Sequence, residues 1–237
     1  MNTSTLHGKK ILITAGPTRE ALDPVRYISN HSSGKMGYAV AEQFLQQGAE
    51  VFLVSGPVCI QLQHPKLKLV HVNSASEMYL ACCQFFEQAD IALFAAAVAD
   101  YRPSTIAEQK IKKDESSFVI TMVKNIDIAY EFGQIKTINQ LSIGFALETN
   151  DELSHAVGKL KKKNFDMVIL NSMNDANATF VHDTNKVTII KNDFSQTTYS
   201  LKSKKDVAKD IVDEVAILAA RAATKQVAPI SSPILHV

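Results

Sequence analysis

Apolar positions along the chain switch between runs and a helical period. KKILITA (9–15) is a short apolar run, which predicts a buried strand. GKMGYAVAEQFLQQG (34–48) then spaces Met36, Val40 and Phe44, with Gly37, Ala41 and Leu45 beside them, as one side of a helix that Gly48 is placed to end. AEVFLVSG (49–56) and KLVHV (68–72) read as strands. SASEMYLACCQFFEQ (74–88) opens with Ser74 and Glu77 in a capping-box pattern and turns Met78, Cys82 and Phe85 inward. DIALFAAAVA (90–99) is apolar throughout, as a central parallel strand covered on both faces must be. LSIGFAL (141–147), a helix capped by Thr149 and Glu152 running to about Lys163, and DMVIL (166–170) continue the rhythm. Such alternation predicts an α/β fold: a three-layer, Rossmann-like, open and mostly parallel sheet with helices on both faces.

The last third changes character. KVTIIKNDFSQTTYSL (186–201) reads as two strands about a turn at Asn192 and Asp193, a C-terminal antiparallel hairpin. Ser203 to about Arg221 is an amphipathic helix with Val207, Ile211, Val215 and Leu218 on one side. This gives one domain over 1–222 and a tail over 223–237. Residues 100–117 are polar and lysine-rich within an otherwise apolar chain, and read as a long functional loop or flap.

Bulk properties narrow the function. The 237 residues carry a formal net charge of +1, so no basic field calls for nucleic acid. The apolar runs are too short to span a bilayer, and the N-terminal residues lack the apolar core of a signal peptide. Cys59, Cys82 and Cys83 offer no disulfide framework, and there is neither a CxxC pair nor HExxH, so no metal ligands are assigned. The expectation is a reduced, cytoplasmic, globular protein.

The chemistry concentrates at four places. The first strand runs into AGPTREALDPVRYISNHSSGKMG (15–37), where Ser32, Ser33 and Gly34 immediately precede a helix. Helix N-termini carry free N–H groups that take anions. A P-loop is excluded, since Ser29 stands where glycine is required and Met36 where Ser or Thr is required; GxGxxG is also absent. The segment is then a phosphate or carboxylate site, or an ordinary loop with serine caps. AAAVADYRP (95–103) ends the central strand, so Asp100 is placed for a base edge, a ribose or a cation, or simply to cap a turn. EQKIKK (108–113) supplies Lys110, which either closes over phosphates or is solvated. VKNIDIA (123–129) offers Asn125 as a helix cap beside Asp127. In KLKKKNFD (159–166), Lys159 and Lys163 share one helix face, as a phosphate clamp or a wet surface. The scattered histidines form no triad pattern with a serine or cysteine.

Taken in order, ITAGPTREALDPVRYISNHSSGKMG, AAAVADYRP, EQKIKK, MVKNIDI, GFALET and KLKKKNFD resemble the phosphopantothenate–cysteine ligase family over roughly residues 8–220. The resemblance implies a ligase of coenzyme A biosynthesis. The carboxylate of 4′-phosphopantothenate attacks the α-phosphate of a nucleoside triphosphate, and cysteine then displaces the nucleotide. The motif set looks like the bacterial type, which uses CTP, with Mg²⁺ accompanying the nucleotide. The flavin-dependent decarboxylase often fused to this ligase is not expected here, so no flavin is implied. By position, Asn30, Lys110 and Arg26 would be catalytic, with Arg26 acting on the neighbouring subunit of a homodimer. Ser32, Ser33, Gly34, Ala96 and Ala97 would hold substrate. Asp100, Lys110, Ile126, Asp127, Ile128, Ala129, Phe145, Lys159 and Lys163 would hold nucleotide. Hairpin 186–201 is the candidate dimer element. Ile126 and Leu147 depart from the family pattern, where proline and alanine are expected. Two rivals stand beside this reading: a NAD(P)-dependent reductase and a non-catalytic nucleotide-binding module.

Overall fold

The computed structural model describes residues 5–113, 117–148, 150–172 and 182–227. In chain order the elements are β1 (Lys10–Ala15), β2 (Arg19–Ala21), β3 (Tyr27–Ser29), α1 (Lys35–Gln46), β4 (Glu50–Ser55), β5 (Leu67–His71), α2 (Ala75–Phe86) and β6 (Ile91–Phe94). They continue with β7 (Tyr101–Pro103), β8 (Met122–Lys124), α3 (Ile128–Ile135), β9 (Leu141–Glu148), α4 (Glu152–Lys162), β10 (Met167–Ser172), β11 (Thr184–Asn185), β12 (Val187–Lys191), β13 (Gln196–Thr198), β14 (Lys202–Ser203) and α5 (Lys204–Val227).

One sheet of order β13-β12-β10-β9-β6-β1-β4-β5 organises the chain. Strands β5, β4, β1, β6, β9 and β10 run parallel, and β12 and β13 close the far edge antiparallel, so the expected α/β class and C-terminal hairpin are what the protein has. Two apolar clusters make the layers. On one face, α1 and α5 pack Val40, Phe44, Val207, Ile211 and Val215 against Ile11, Ile13 and Ile169. On the other, Met78, Phe85, Phe132 and Leu160 of α2, α3 and α4 cover Leu12, Ala92 and Val168. Alternate residues of one strand serve opposite layers, as the period of two requires. The chain winds outward from β1 in both directions, so the sheet's switch point lies between β1 and β6.

Several boundaries depart from the sequence reading. The central strand stops at Phe94 rather than Ala99, because Ala97 leaves the ladder to bridge Pro17. Helix α5 continues through residues 223–227, where a tail was expected, and the rest of that tail lies outside the described residues. The expected cap Thr149 also lies outside them; α4 is preceded by Asp151 in a left-handed conformation without a side-chain cap. The capping box of α2 is shared differently: Ser74 accepts from the Glu77 N–H, but the Glu77 carboxylate reaches the Asn73 N–H. Two hairpins, β2–β3 and β7–β8, were not foreseen.

Candidate active site

A cavity of about 470 Å³ opens at the carboxyl ends of β1, β6, β9 and β10. Its floor is Thr14, residues 94–99, residues 145–147 and Asn171, and the 30–37 segment forms one wall. That wall needs glycine twice. Gly34 has φ of +75°, and a β-carbon there would stand 2.7 Å from Val58 Cγ1. A β-carbon on Gly37 would stand 2.7 Å from that of Ala15, so α1 lies directly on β1. The serine caps allowed by the sequence do not form: Gly34 is the N-cap of α1 and no side chain caps the helix. Ser32 Oγ accepts from the Gly34 N–H, at 3.3 Å.

Asn30 is tied to the strand end, its Nδ2 donating to the Ala97 carbonyl at 2.9 Å. That carbonyl also accepts from Thr18 N–H, and the Ala97 N–H donates to Gly16. The Ala96 N–H donates to Thr14 Oγ1 at 3.3 Å. Both alanines therefore line the cavity with their N–H groups already engaged, and what they contribute is small volume at a strand end.

On the α3–α4 side, Asn125 does not cap α3. Its Nδ2 donates to the Ala99 carbonyl and its N–H to that of Asp100, while Asp127 is the cap and accepts from the Tyr130 N–H. Asp127 also accepts from Lys163 at 2.9 Å, and Lys159 pairs with Glu148 at 2.6 Å. Lys159, in the last turn of α4, and Lys163, its C-cap, each have a carboxylate beside them. Ile126, Ile128, Ala129 and Phe145 complete this wall.

Two expected residues lie elsewhere. Arg26 does not line the cavity; its Nε and Nη2 donate to Asp23 Oδ2 at 2.9 and 2.5 Å, and Nη2 also reaches the Ile111 carbonyl at 2.7 Å. Asp23 is buried and accepts as well from the N–H groups of Val25, Arg26 and Ile111. The Arg26 guanidinium, and the N–H groups around it, hold the Asp23 carboxyl well below the usual carboxylate range. This pair staples the lysine strap one residue beyond Lys110, and Ala107 N–H to Leu22 carbonyl is a second tie. Lys110 is exposed and outside the cavity.

The sequence reading missed Lys35, Lys204, Asn171 and Asn185, all of which line the cavity. Lys35 was visible in the rejected P-loop string. Lys204 carried no local signal, because only the docking of α5 beside α1 brings it there.

Comparison with known proteins agrees with this fold. Residues 6–218 match the family described as DNA/pantothenate metabolism flavoprotein C-terminal domain. A protein of an unknown prokaryotic organism named cysteine/cysteine sulfinic acid decarboxylase is 46% identical over 213 residues, covering 90% of this chain and 59% of that one. The coenzyme A biosynthesis bifunctional protein CoaBC of Bacillus subtilis is 41% identical over 216 residues, covering 91% and 53%. The chain thus spans little more than half the length of these relatives. Among solved structures, the C-terminal domain of a CoaBC protein superposes with TM-score 0.78 at 38% identity, covering 92% of this chain and 99% of that one. Cab2 H337A, solved with phosphopantothenate-cysteine, shares the fold with TM-score 0.73 at 18% identity, covering 92% and 88%. The chain belongs to the DNA/pantothenate metabolism flavoprotein C-terminal domain family.

Proposed function

We propose that this domain joins 4′-phosphopantothenate to cysteine through an acyl-cytidylate. The observation that carries the reading is convergence: segments 30–37, 94–100 and 125–129, with Phe145, Lys159 and Lys163, meet on one cavity in a chain whose relatives include proteins named for coenzyme A biosynthesis. A carboxylate and a triphosphate repel each other, so donors must be aligned before charge builds up. The uncapped N-terminus of α1 supplies N–H groups to an anion, and Asn30 stands beside it at the substrate carboxylate. A carboxylate oxygen bonds to the α-phosphorus and pyrophosphate departs. The cysteine amine then attacks the acyl carbon, CMP leaves on its phosphate oxygen, and the amine gives up a proton. Lys110 closes over the acyl-phosphate for this second step, which requires the strap to leave its staple.

Mg²⁺ arriving on the triphosphate supplies charge neutralisation. Among the described residues no group of three or more His, Cys, Asp or Glu forms a cage. That fits an ion carried by phosphates and water, which needs only one or two carboxylates; Asp100, exposed at the cavity, would take that place. Dimerisation belongs to the same reading. The hairpin edge β13 is polar (Gln196 to Thr198), whereas Val25, Tyr27, Tyr101, Ile106 and Phe118 are exposed on the hairpins that carry Arg26 and the strap. That apolar surface, rather than hairpin 186–201, is the better dimer candidate. Among the described residues no helix is long and apolar enough to cross a membrane, and a cytoplasmic location is part of the proposal.

The test is pyrophosphate release that requires both CTP and phosphopantothenate, followed by CMP release that requires cysteine. Faster turnover with ATP would remove the CTP assignment. Carbon dioxide released from cysteine sulfinate without any nucleotide would favour the activity named for the first relative instead.

A further inference from the structure

We propose that Asp23 is a positioning residue for Lys110: its one carboxylate holds both the strap and Arg26, so an anionic substrate group that takes Arg26 unlatches the strap. This rests on the ligase reading above and deepens it.

One side of the latch is fixed. Asp23 Oδ1 accepts from the N–H groups of Val25 and Arg26, each at 2.8 Å, which locks the carboxylate into its own turn. The hairpin that carries it is anchored in turn. Buried Glu20 accepts from the Ala75 N–H at the start of α2, at 3.0 Å, and Thr18 Oγ1 accepts from the Ala99 N–H, also at 3.0 Å. The second oxygen, Oδ2, takes Arg26 Nε and Nη2 and the Ile111 N–H, the last at 3.1 Å. Arg26 Nη2 closes the ring by donating to the Ile111 carbonyl at 2.7 Å. Both backbone groups of the residue after Lys110 therefore end on one ion pair.

Exposure decides which member moves. The Asp23 side chain is fully buried, whereas that of Arg26 is 40% exposed and open to an anion from solvent. Were Arg26 to leave alone, it would strip a buried carboxylate of its counter-charge and the Ile111 carbonyl of its donor, which is costly. A phosphate or carboxylate of the substrate compensates the guanidinium with charge-assisted, bidentate hydrogen bonds. The strap then keeps its bond to Asp23 and the tie from Ala107 N–H to the Leu22 carbonyl. Lys110, one residue from the lost contact, is freed after the substrate has arrived and not before. The carboxylate thus orders two events, binding and then closure.

Hydrogen exchange at the Ile111 amide of the full chain, followed by NMR with and without saturating 4′-phosphopantothenate, reads the latch directly. In the wild type this amide is expected to exchange slowly without substrate and about tenfold or more faster with it, the worth of one hydrogen bond to a charged group. In Asp23→Asn it is expected to exchange fast in both conditions, a substrate independence that lost stability alone does not produce. Arg26→Lys decides the matter if that variant does not fold. Its ammonium still pairs with Asp23 but lacks the fork that also reaches the Ile111 carbonyl, so exchange should be fast before substrate and respond little to it. Exchange in the wild type that ignores phosphopantothenate, an equal response to CTP alone, or a full wild-type response in Arg26→Lys overturns the proposal. If phosphopantothenate speeds Ile111 exchange but no pyrophosphate is released with CTP, the ligase reading fails while the latch stands. A chain that binds no phosphopantothenate by calorimetry defeats both.

Discussion

The carboxyl edge of the sheet and the two hairpins beside it both carry groups assigned to the same chemistry, yet they hold them in opposite ways. At the sheet edge, Thr14, Ala96, Phe145 and Asn171 are brought together by pairing of β1, β6, β9 and β10, strands that two helical layers cover. On β2–β3 and β7–β8, Arg26 and Lys110 stay outside the cavity, and the strap is held by Asp23, Arg26 and Leu22. A sheet edge of this kind can preorganise donors, which favours the step where charge first develops. A strap with few ties can open and close, which favours excluding water from a reactive intermediate. On the proposed reading, the contrast divides the work of one site between a half fixed by the sheet and a half carried on the strap.

The largest effect expected is from the moving half. Lys110→Gln should slow cysteine transfer by about a hundredfold to a thousandfold while acyl-cytidylate still forms, so the intermediate accumulates in quenched single-turnover reactions with labelled CTP. Asn30→Asp, in the fixed half, should block the first step instead, since it sets a second carboxylate beside the substrate's own. If both variants slow the same step, the division fails. Next in size is complementation. Arg26→Ala and Asn30→Asp subunits, each inactive, should recover partial activity when mixed; mixed dimers that remain inactive would confine Arg26 to its own chain, where it bonds Asp23.

Smaller still is the staple itself. Asp23→Asn removes a buried charge that receives several donors, so the denaturation midpoint should fall by an amount worth about 1–3 kcal/mol. Its pH dependence follows from the sign of the shift. The folded Asp23 carboxyl titrates below the unfolded one, so its contribution is complete above the unfolded value of about 3.9 and disappears only as pH falls toward the folded value. The stability gap between wild type and Asp23→Asn should stay level from neutral pH down to about 5, and narrow below about 4. A gap that closes near neutrality would mean that another group carries the effect.

How much of this was legible depended on the range of the cause. Elements with a strong period were readable: the Val40–Phe44 face of α1, the apolar β1 and β4, and the Val207–Ile211–Val215 face of α5 all lie where their patterns place them. Short strands were not. Arg19–Ala21 and Tyr101–Pro103 are three residues each, too few to show alternation, and one contains a proline. In the site, residues grouped by local motifs converged, because strand ends and helix starts occupy known edges of a parallel sheet. Lys204 and Asn185 were invisible, since the first is placed by how the last helix packs on the first and the second by the short β11–β14 pairing and its bond to Asn171. Arg26 and Lys110 were readable as chemistry but not as places, because hydrogen bonds to Asp23 and Ile111 decide where the strap rests.

The bonds around Ala97 carry one more consequence. Its carbonyl accepts from Thr18 and Asn30, and its N–H donates to Gly16, so both ends of the loop that follows β1 meet the distant end of β6 at one peptide. None of these bonds can form until β6 has found β1, which is a slow, nonlocal event in a parallel sheet. Competence and folding therefore share a clock: refolding chains should recover helix signal early and ligand binding late. On warming, slow amide exchange at Ala97 should be lost together with activity, ahead of the packed interior.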